Sequence, residues 1–415
     1  MERLRAQYEV ESPKSLEHAA KVIAGEQSSG TFLKLAGETD ALRQRSGARV
    51  ELIEERSQSA SPSLPTRTQG SHYSRGVITL SWPLDNMGTS LTNVLATVAG
   101  NLFELADVSA LRLIDVEFPD AFSQAYPGPA FGRKGTLDLA GVSNRPMIGT
   151  IIKPSVGLSP DETAQLVLQL IEGGIDFIKD DELQGNGAHC PFPERARKVM
   201  RVINDYADRT GKKPMYAFNI TGEVDEMKRN ADLVHELGGT CIMVSLFSIG
   251  LAGLSAIRAH AALPLHCHRN GWGLFSRSPD IGISFRAWQK FWRLAGADHL
   301  HVNGIANKFT ESDETVMESA RALGENVPPN QTYHAMPVFS SGQTAVQMEQ
   351  TIAALGHTDF IYCAGGGIIG HPGGVAGGVA SIQQAAAAAV QGIPVDEFAK
   401  DHEELRLALS TFRKN

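Results

Sequence analysis

From Arg145 onward, short apolar runs alternate with longer stretches whose apolar residues recur every three or four positions. The runs are MIGTII (147–152), IDFIK (175–179), MYAFNI (215–220), CIMVSL (241–246), LPLHC (263–267), HLHVN (299–303), HAMPVF (334–339) and DFIYC (359–363). Near-continuous hydrophobicity over so few residues suits strands of a parallel sheet covered on both faces. Eight such strands, each followed by an amphipathic helix, predict a (β/α)8 TIM barrel over 145–415, closed by C-terminal helices. One helix start is explicit: Ser159, Pro160 and Glu162 read as a capping box with proline at the first helical position, and Gly173 as the stop. The alanine-rich SIQQAAAAAVQG (381–392) reads as the last barrel helix.

The first part of the chain has another rhythm. RLRAQYEVES (3–12), ARVELIEERS (48–57), GVITLSWP (76–83) and ALRLIDVEFP (110–119) read as strands, with helices over SLEHAAKVIAGE (15–26) and SLTNVLATVAGNLF (90–103). That order predicts an α+β, ferredoxin-like domain over 1–125. SQSASPSLPTRTQGS (57–71) is a polar loop inside it, and 126–144, around AYPGPAFGRKG, is read as the linker.

Composition narrows the function. With 415 residues, 42% of them hydrophobic, the chain can bury a large core. A net charge of −8 offers no broad basic face for nucleic acid or an anionic membrane, so any phosphate must be held locally and the partner should be a small molecule. Cys190, Cys241, Cys267 and Cys363 are far apart, as suits a reducing cytoplasm. MERLRAQYEV has charges where a signal peptide needs an apolar core, and no apolar run has membrane-spanning length.

In this fold catalytic groups gather where strands end and βα loops begin. KDDE sits at such an end. Along a strand Lys179 and Asp181 share one face, Asp180 takes the other, and Glu182 can swing back where the chain turns. Two carboxylates suit a hard cation such as Mg2+. A free ammonium would repel that ion, whereas a carbamate formed on Lys179 from CO2 would add a third oxygen ligand. The alternative is a salt-bridged loop in which Lys179 neutralises its neighbours. Other strand ends favour a site: GTIIKPSVGL places Lys153 at the first, AFNITG Asn219 at the third, LHCHRNGWG His266, His268 and Arg269 at the fifth, and DHLHVNG His299 and His301 at the sixth. The H-x-H pairs also admit zinc, but the neighbouring acids make the site rich in oxygen. VFSSGQT (338–344) and CAGGGIIGHPGG (363–374) follow the last two strands, where barrels often cradle phosphate on backbone N–H groups.

Together these motifs, in this order, resemble the ribulose-bisphosphate carboxylase (RuBisCO) superfamily along nearly the whole chain; GEQSSGTF (25–32) and AGNLF (99–103) are similar to family segments in the N-terminal half. The resemblance implies a homodimer whose sites combine one subunit's barrel with its partner's N-terminal domain. It implies that carbamylated Lys179, Asp181 and Glu182 hold Mg2+ and that Lys153 moves protons at an enediolate carbon. His268 and His301 would contact substrate, Arg269 and Lys308 would hold phosphate, and Ser340, Gly342, Gly365 and Gly366 would line the ligand and phosphate sites. Glu26, Thr31 and Asn101 would come from the partner subunit.

Three departures bear on the reaction. Ser155 stands where carboxylases carry a second lysine, Phe32 where they carry tryptophan, and NGIANKFTES (303–312) differs from their lid around the lysine that faces CO2. The chain thus resembles a RuBisCO-like protein and not a CO2-fixing enzyme. The favoured chemistry is decarboxylation, or transcarboxylation with hydrolysis, of 3-oxo-isoapionate 4-phosphate, a β-keto acid whose cleavage would itself generate the enediolate. Two alternatives stand beside it: enolisation of 2,3-diketo-5-methylthiopentyl 1-phosphate, for which that branch's lysine base is replaced here by Asn101, and a non-catalytic sugar-phosphate binder.

Overall fold

A computed structural model describes residues 2–30, 35, 37–328 and 331–413. In chain order its strands are β1 (Arg3–Ser12), β2 (Arg49–Ser59), β3 (Tyr73–Pro83), β4 (Ala110–Glu117), β5 (Met147–Ile151), β6 (Phe177–Lys179) and β7 (Met215–Asn219). There follow β8 (Cys241–Ser245), β9 (Leu265–His268), β10 (Ile281–Ile283), β11 (His299–Asn303), β12 (Met336–Phe339) and β13 (Ile361–Cys363). The chain divides into two compact units. One comprises 1–127, 271–295 and 326–332, and the other comprises 128–270, 296–325 and 333–415.

In the first unit β1 alternates from Arg3 to Val10, burying Leu4, Ala6, Tyr8 and Val10, as a half-covered strand should. It pairs antiparallel with β3 and β4, giving the sheet order β10-β4-β1-β3-β2. The first four strands thus have the ferredoxin-like arrangement. The charged strand β2 occupies the outer edge, where Glu and Arg side chains oppose edge-to-edge pairing. The polar loop after β2 is tied down at Ser63, whose backbone N–H donates to the buried Glu11 carboxylate at 2.8 Å. β10, a parallel addition to β4, was not anticipated, nor was the helix Asp40–Ser46.

The second unit is the eight-stranded barrel, closed in the order β11-β12-β13-β5-β6-β7-β8-β9 with every pair parallel. All eight predicted strands form. Met147, Phe177, Met215, Cys241, Met243, Met336, Val338, Ile361 and Cys363 pack together as its apolar filling. The Ser159 capping box forms as read, with Ser159 accepting from the Glu162 N–H and Glu162 bonding back. The stretch 126–144, read as a linker, contains the helix Gly132–Ala140. Two acids, the half-buried Asp176 and the buried Asp298, organise strand starts. Asp176 receives both guanidinium nitrogens of Arg145 at 2.6 and 2.8 Å and the Ile148 N–H at 2.8 Å. Asp298 receives the N–H groups of Phe131, Gly132 and Leu265 at 2.6 to 2.8 Å and Arg258 at 3.1 Å.

Candidate active site

Lys179 is the last residue of β6 and is wholly buried. Its Nζ donates to the Asp180 carbonyl at 2.8 Å and lies 3.4 Å from Glu182 Oε2. Lys153, just past β5, donates through Nζ to Asp181 Oδ2 at 2.6 Å and to Ser155 Oγ at 2.8 Å. The site therefore brings together two lysines and two carboxylates, as the strand-end reading expected. Asp180 takes the opposite face: it accepts from Tyr216 Oη at 2.6 Å, the Asn219 N–H at 2.9 Å and Arg195 at 3.2 Å. It is an anchor that fixes β6 to its neighbours. Asn219 is a buttress too, its Nδ2 donating to the Glu182 carbonyl at 3.2 Å while Oδ1 accepts from Thr221.

Burial works against charge on Glu182, but His268 and then Lys179 overcome it and hold its carboxyl down at about 2. Burial, reinforced by Lys179, holds His268 itself down at about 4. Near neutral pH His268 is therefore uncharged and Glu182 ionised. The His268 Nδ1 accepts from the Asn270 N–H at 3.2 Å, which leaves the ring's proton on Nε2, 3.6 Å from Glu182.

These residues fit a divalent cation only with help. Among the described residues, no group of three His, Cys, Asp or Glu side chains could hold a metal. Asp181 and Glu182 supply two carboxylates, and Lys179 beside them is the group that could become a third oxygen donor by taking up CO2. With that modification the donor set fits Mg2+.

The remaining predicted residues fall around this cluster. His301, in β11, packs its ring 4.4 Å from that of His268, and its Nδ1 lies 3.1 Å from Ser340 Oγ. Arg269 is buried and paired with Glu311, which also accepts from Asn303 Nδ2 at 2.6 Å. This acid across from the predicted phosphate-holding arginine escaped the sequence reading; its signal was an acid in the stretch noted only as a departure. Lys308 is exposed, with Nζ 5.2 Å from the centre of the Phe309 ring, and its N–H donates to the Ser341 carbonyl at 3.2 Å. Gly342 needs its glycine, having φ +90°. Gly365 borders Lys153: a Cβ there would sit 3.9 Å from the lysine Cε. It caps the short helix that begins at Gly366.

Glu26 ends the helix Leu16–Glu26 and Asn101 begins a 3-10 turn, both exposed in the first unit. Thr31 and Phe32 lie outside the described residues.

Comparison with known proteins follows the same division. The family described as ribulose bisphosphate carboxylase large chain, N-terminal domain, matches residues 4–122, and its catalytic domain matches residues 133–412. A 3-oxo-isoapionate-4-phosphate transcarboxylase/hydrolase of Xanthobacter autotrophicus is 54% identical, covering 99% of this chain and 100% of that protein. A 3-oxo-isoapionate-4-phosphate decarboxylase of Rhizobium etli is 42% identical over 98% of this chain and 97% of that one. Among solved structures, a RuBisCO-like protein from Burkholderia fungorum superimposes with a TM-score of 0.93 at 44% identity, covering 99% of this chain and 100% of its own. A dimeric archaeal RuBisCO from Hyperthermus butylicus gives 0.86 at 28% identity, with coverage of 99% and 96%. With both domains matched and full-length relatives at such identity, this chain belongs to the ribulose bisphosphate carboxylase large-chain family.

Proposed function

We propose that this chain is a RuBisCO-like enzyme that acts on 3-oxo-isoapionate 4-phosphate by transcarboxylation and hydrolysis, without net fixation of CO2. The observation that carries the reading is the setting of Lys153. Its ammonium is held by Asp181 and Ser155, and the position two residues on carries a hydroxyl in place of a second cation. In this reading Arg269 and Lys308 hold the phosphate, Gly342, Gly365 and Gly366 line the ligand and phosphate sites, and the proposed substrate has one phosphate. The 54% identity to the transcarboxylase/hydrolase, against 42% to the decarboxylase, favours the former reaction.

In a β-keto acid with a hydroxyl on the intervening carbon, the bond to the carboxyl group breaks with its electron pair entering the ketone, which yields an enediolate and CO2. In the proposed route the former ketone carbon takes up that CO2 while the other carbon becomes the ketone; water adds to this ketone and the bond between the two carbons breaks, leaving one acid and a carbanion that becomes the second acid on protonation. Carbamylated Lys179, Asp181 and Glu182 would hold Mg2+, which when bound would draw negative charge from the substrate oxygens. Lys153 would return a proton to carbon; its hydrogen bonds to Asp181 and Ser155, which fix the direction of its ammonium, support this role. His268, whose Nδ1 accepts from the Asn270 N–H, offers its Nε2 proton beside Glu182. Glu311, paired with Arg269, would compete with a phosphate for that guanidinium. The active unit in this reading is a cytoplasmic homodimer in which the partner's Glu26, Thr31 and Asn101 complete the site. Among the described residues no helix is long and apolar enough to cross a membrane.

Product NMR after incubation with 3-oxo-isoapionate 4-phosphate, Mg2+ and bicarbonate in D2O tests the reading. Two smaller acids are expected. Release of CO2 with one deuterium placed in a single ketose phosphate would instead mark a decarboxylase. If neither appears while 2,3-diketo-5-methylthiopentyl 1-phosphate is enolised efficiently, the reading is wrong. Tight sugar-phosphate binding with no turnover of any substrate would mark a binding protein.

A further inference from the structure

Two of the four barrel histidines, His266 and His299, have no part in the chemistry above, yet both are fully buried directly beneath it. They belong to a continuous row of hydrogen bonds. Thr136 Oγ1 contacts the Gly132 carbonyl and lies 2.8 Å from His299 Nε2. His299 Nδ1 is 3.3 Å from His266 Nδ1, and His266 Nε2 is 2.8 Å from His301 Nε2. His301 Nδ1 is 3.1 Å from Ser340 Oγ. The row runs from the helix Gly132–Ala140 through β9 and β11 to the loop after β12.

Proton counting gives this row a direction. A carbonyl only accepts, so Thr136 must spend its single proton on Gly132 and accept from His299 Nε2–H. A neutral imidazole has one N–H, so His299 Nδ1 is bare and accepts from His266 Nδ1–H. By the same count His266 Nε2 accepts from His301 Nε2–H, and the bare His301 Nδ1 accepts from the Ser340 hydroxyl. The rings are neutral: burial alone holds His299 down at about 3, and burial, with neighbouring positive groups, pushes His266 and His301 well below their ordinary value. The opposite direction would turn the Thr136 proton towards His299 and leave two oxygens facing each other without a hydrogen. The anchor cannot shift to relieve that. Gly132 is pinned by its own N–H to Asp298 at 2.8 Å, and its φ is +56°.

We propose that Thr136, His299 and His266 are positioning residues: they form a one-way hydrogen-bond chain that holds His301 with Nε2 protonated and Nδ1 bare, committing the Ser340 hydroxyl to donate inward and to meet a ligand as an acceptor. The group that Ser340 recognises is then a ligand hydroxyl and not an anionic oxygen. Ser341 Oγ, the other acceptor near the Ser340 proton, is farther at 3.4 Å than His301 Nδ1 at 3.1 Å, and with its own proton on Asn303 Oδ1 it has none to give His301 in place of Ser340. The consequence for turnover rests on the reading of His301 and Ser340 as ligand-facing groups; the tautomers themselves do not.

The test uses the full-length protein with 15N-labelled histidine and long-range 1H–15N correlation, assigned with single His→Gln variants. Expected are Nε2–H on His299 and His301 and Nδ1–H on His266. An Nδ1–H on His301, or an imidazolium at any of the three near neutral pH, would overturn the chain. Thr136→Val removes the anchor at nearly constant volume. It is expected to mix the His301 tautomers and lower kcat about tenfold, the factor of one hydrogen bond, at nearly constant KM. Thr136→Ser should restore both. A folded Thr136→Val with unchanged tautomers and kcat refutes the proposal, and if that variant does not fold, the wild-type spectrum decides. The expected tautomers in a protein that turns over no β-keto sugar-acid phosphate would sink the proposed reaction and leave the chain standing.

Discussion

Lys179 presents the sharpest chemical choice in the molecule: as an ammonium it pairs with Glu182, and as a carbamate it would join Glu182 and Asp181 in holding a cation. The two states predict different responses to CO2. Activity should rise after preincubation with bicarbonate and Mg2+, and Lys179→Ala should lose at least about a hundredfold in kcat. Full activity after rigorous CO2 removal would mean that the ammonium form is the working one. At this scale the acids of KDDE were legible because neighbouring residues on a strand end must share a small volume. The partners of Lys153 were not, because Asp181 is brought to it by the pairing of β5 with β6 and not by spacing along the chain. Glu311 was missed for the same reason. Its meaning comes from Arg269, which lies on another strand end.

At the scale of elements, apolar runs and cap signals carried most of the information, and all eight barrel strands follow from them. The helix Asp40–Ser46 was missed although Thr39 caps it by accepting from the Leu42 N–H, since the helix itself buries no side chain and so has no apolar stripe to read. The packing of β9 against β11 has a pH consequence. With the folded value of His299 pushed down to about 3, the unfolded chain binds a proton there that the native barrel refuses. The contribution is harmless above about pH 6.5 and costs stability progressively as pH falls below it towards the folded value. His266 and His301 act in the same sense. Urea midpoints should therefore be lower at about pH 5 than at about pH 7.5, and His299→Gln should lessen the difference. An equal or higher midpoint at the lower pH would contradict the buried neutral state.

At the scale of the whole molecule, the two units raise the question of what completes the barrel's site. If Glu26 and Asn101 act across a dimer, subunits inactivated by Glu26→Gln and by Lys153→Met should regain activity when mixed, because each mixed pair holds one intact site. Unchanged inactivity despite subunit exchange shown by mass spectrometry would mean that each chain is self-sufficient. The sheet of the first unit adds a consequence for synthesis. β10 lies far along the chain from β4, yet it covers the edge of β4 through Ile281↔Leu111 and Ile283↔Leu113. As the chain leaves the ribosome, that edge has to wait, bare, while the first five barrel strands are made. A fragment ending at Pro127 would keep it bare for good, and such a fragment should associate or precipitate, as an open strand edge invites. Its elution from a sizing column as a clean monomer would show that some other feature guards the nascent edge.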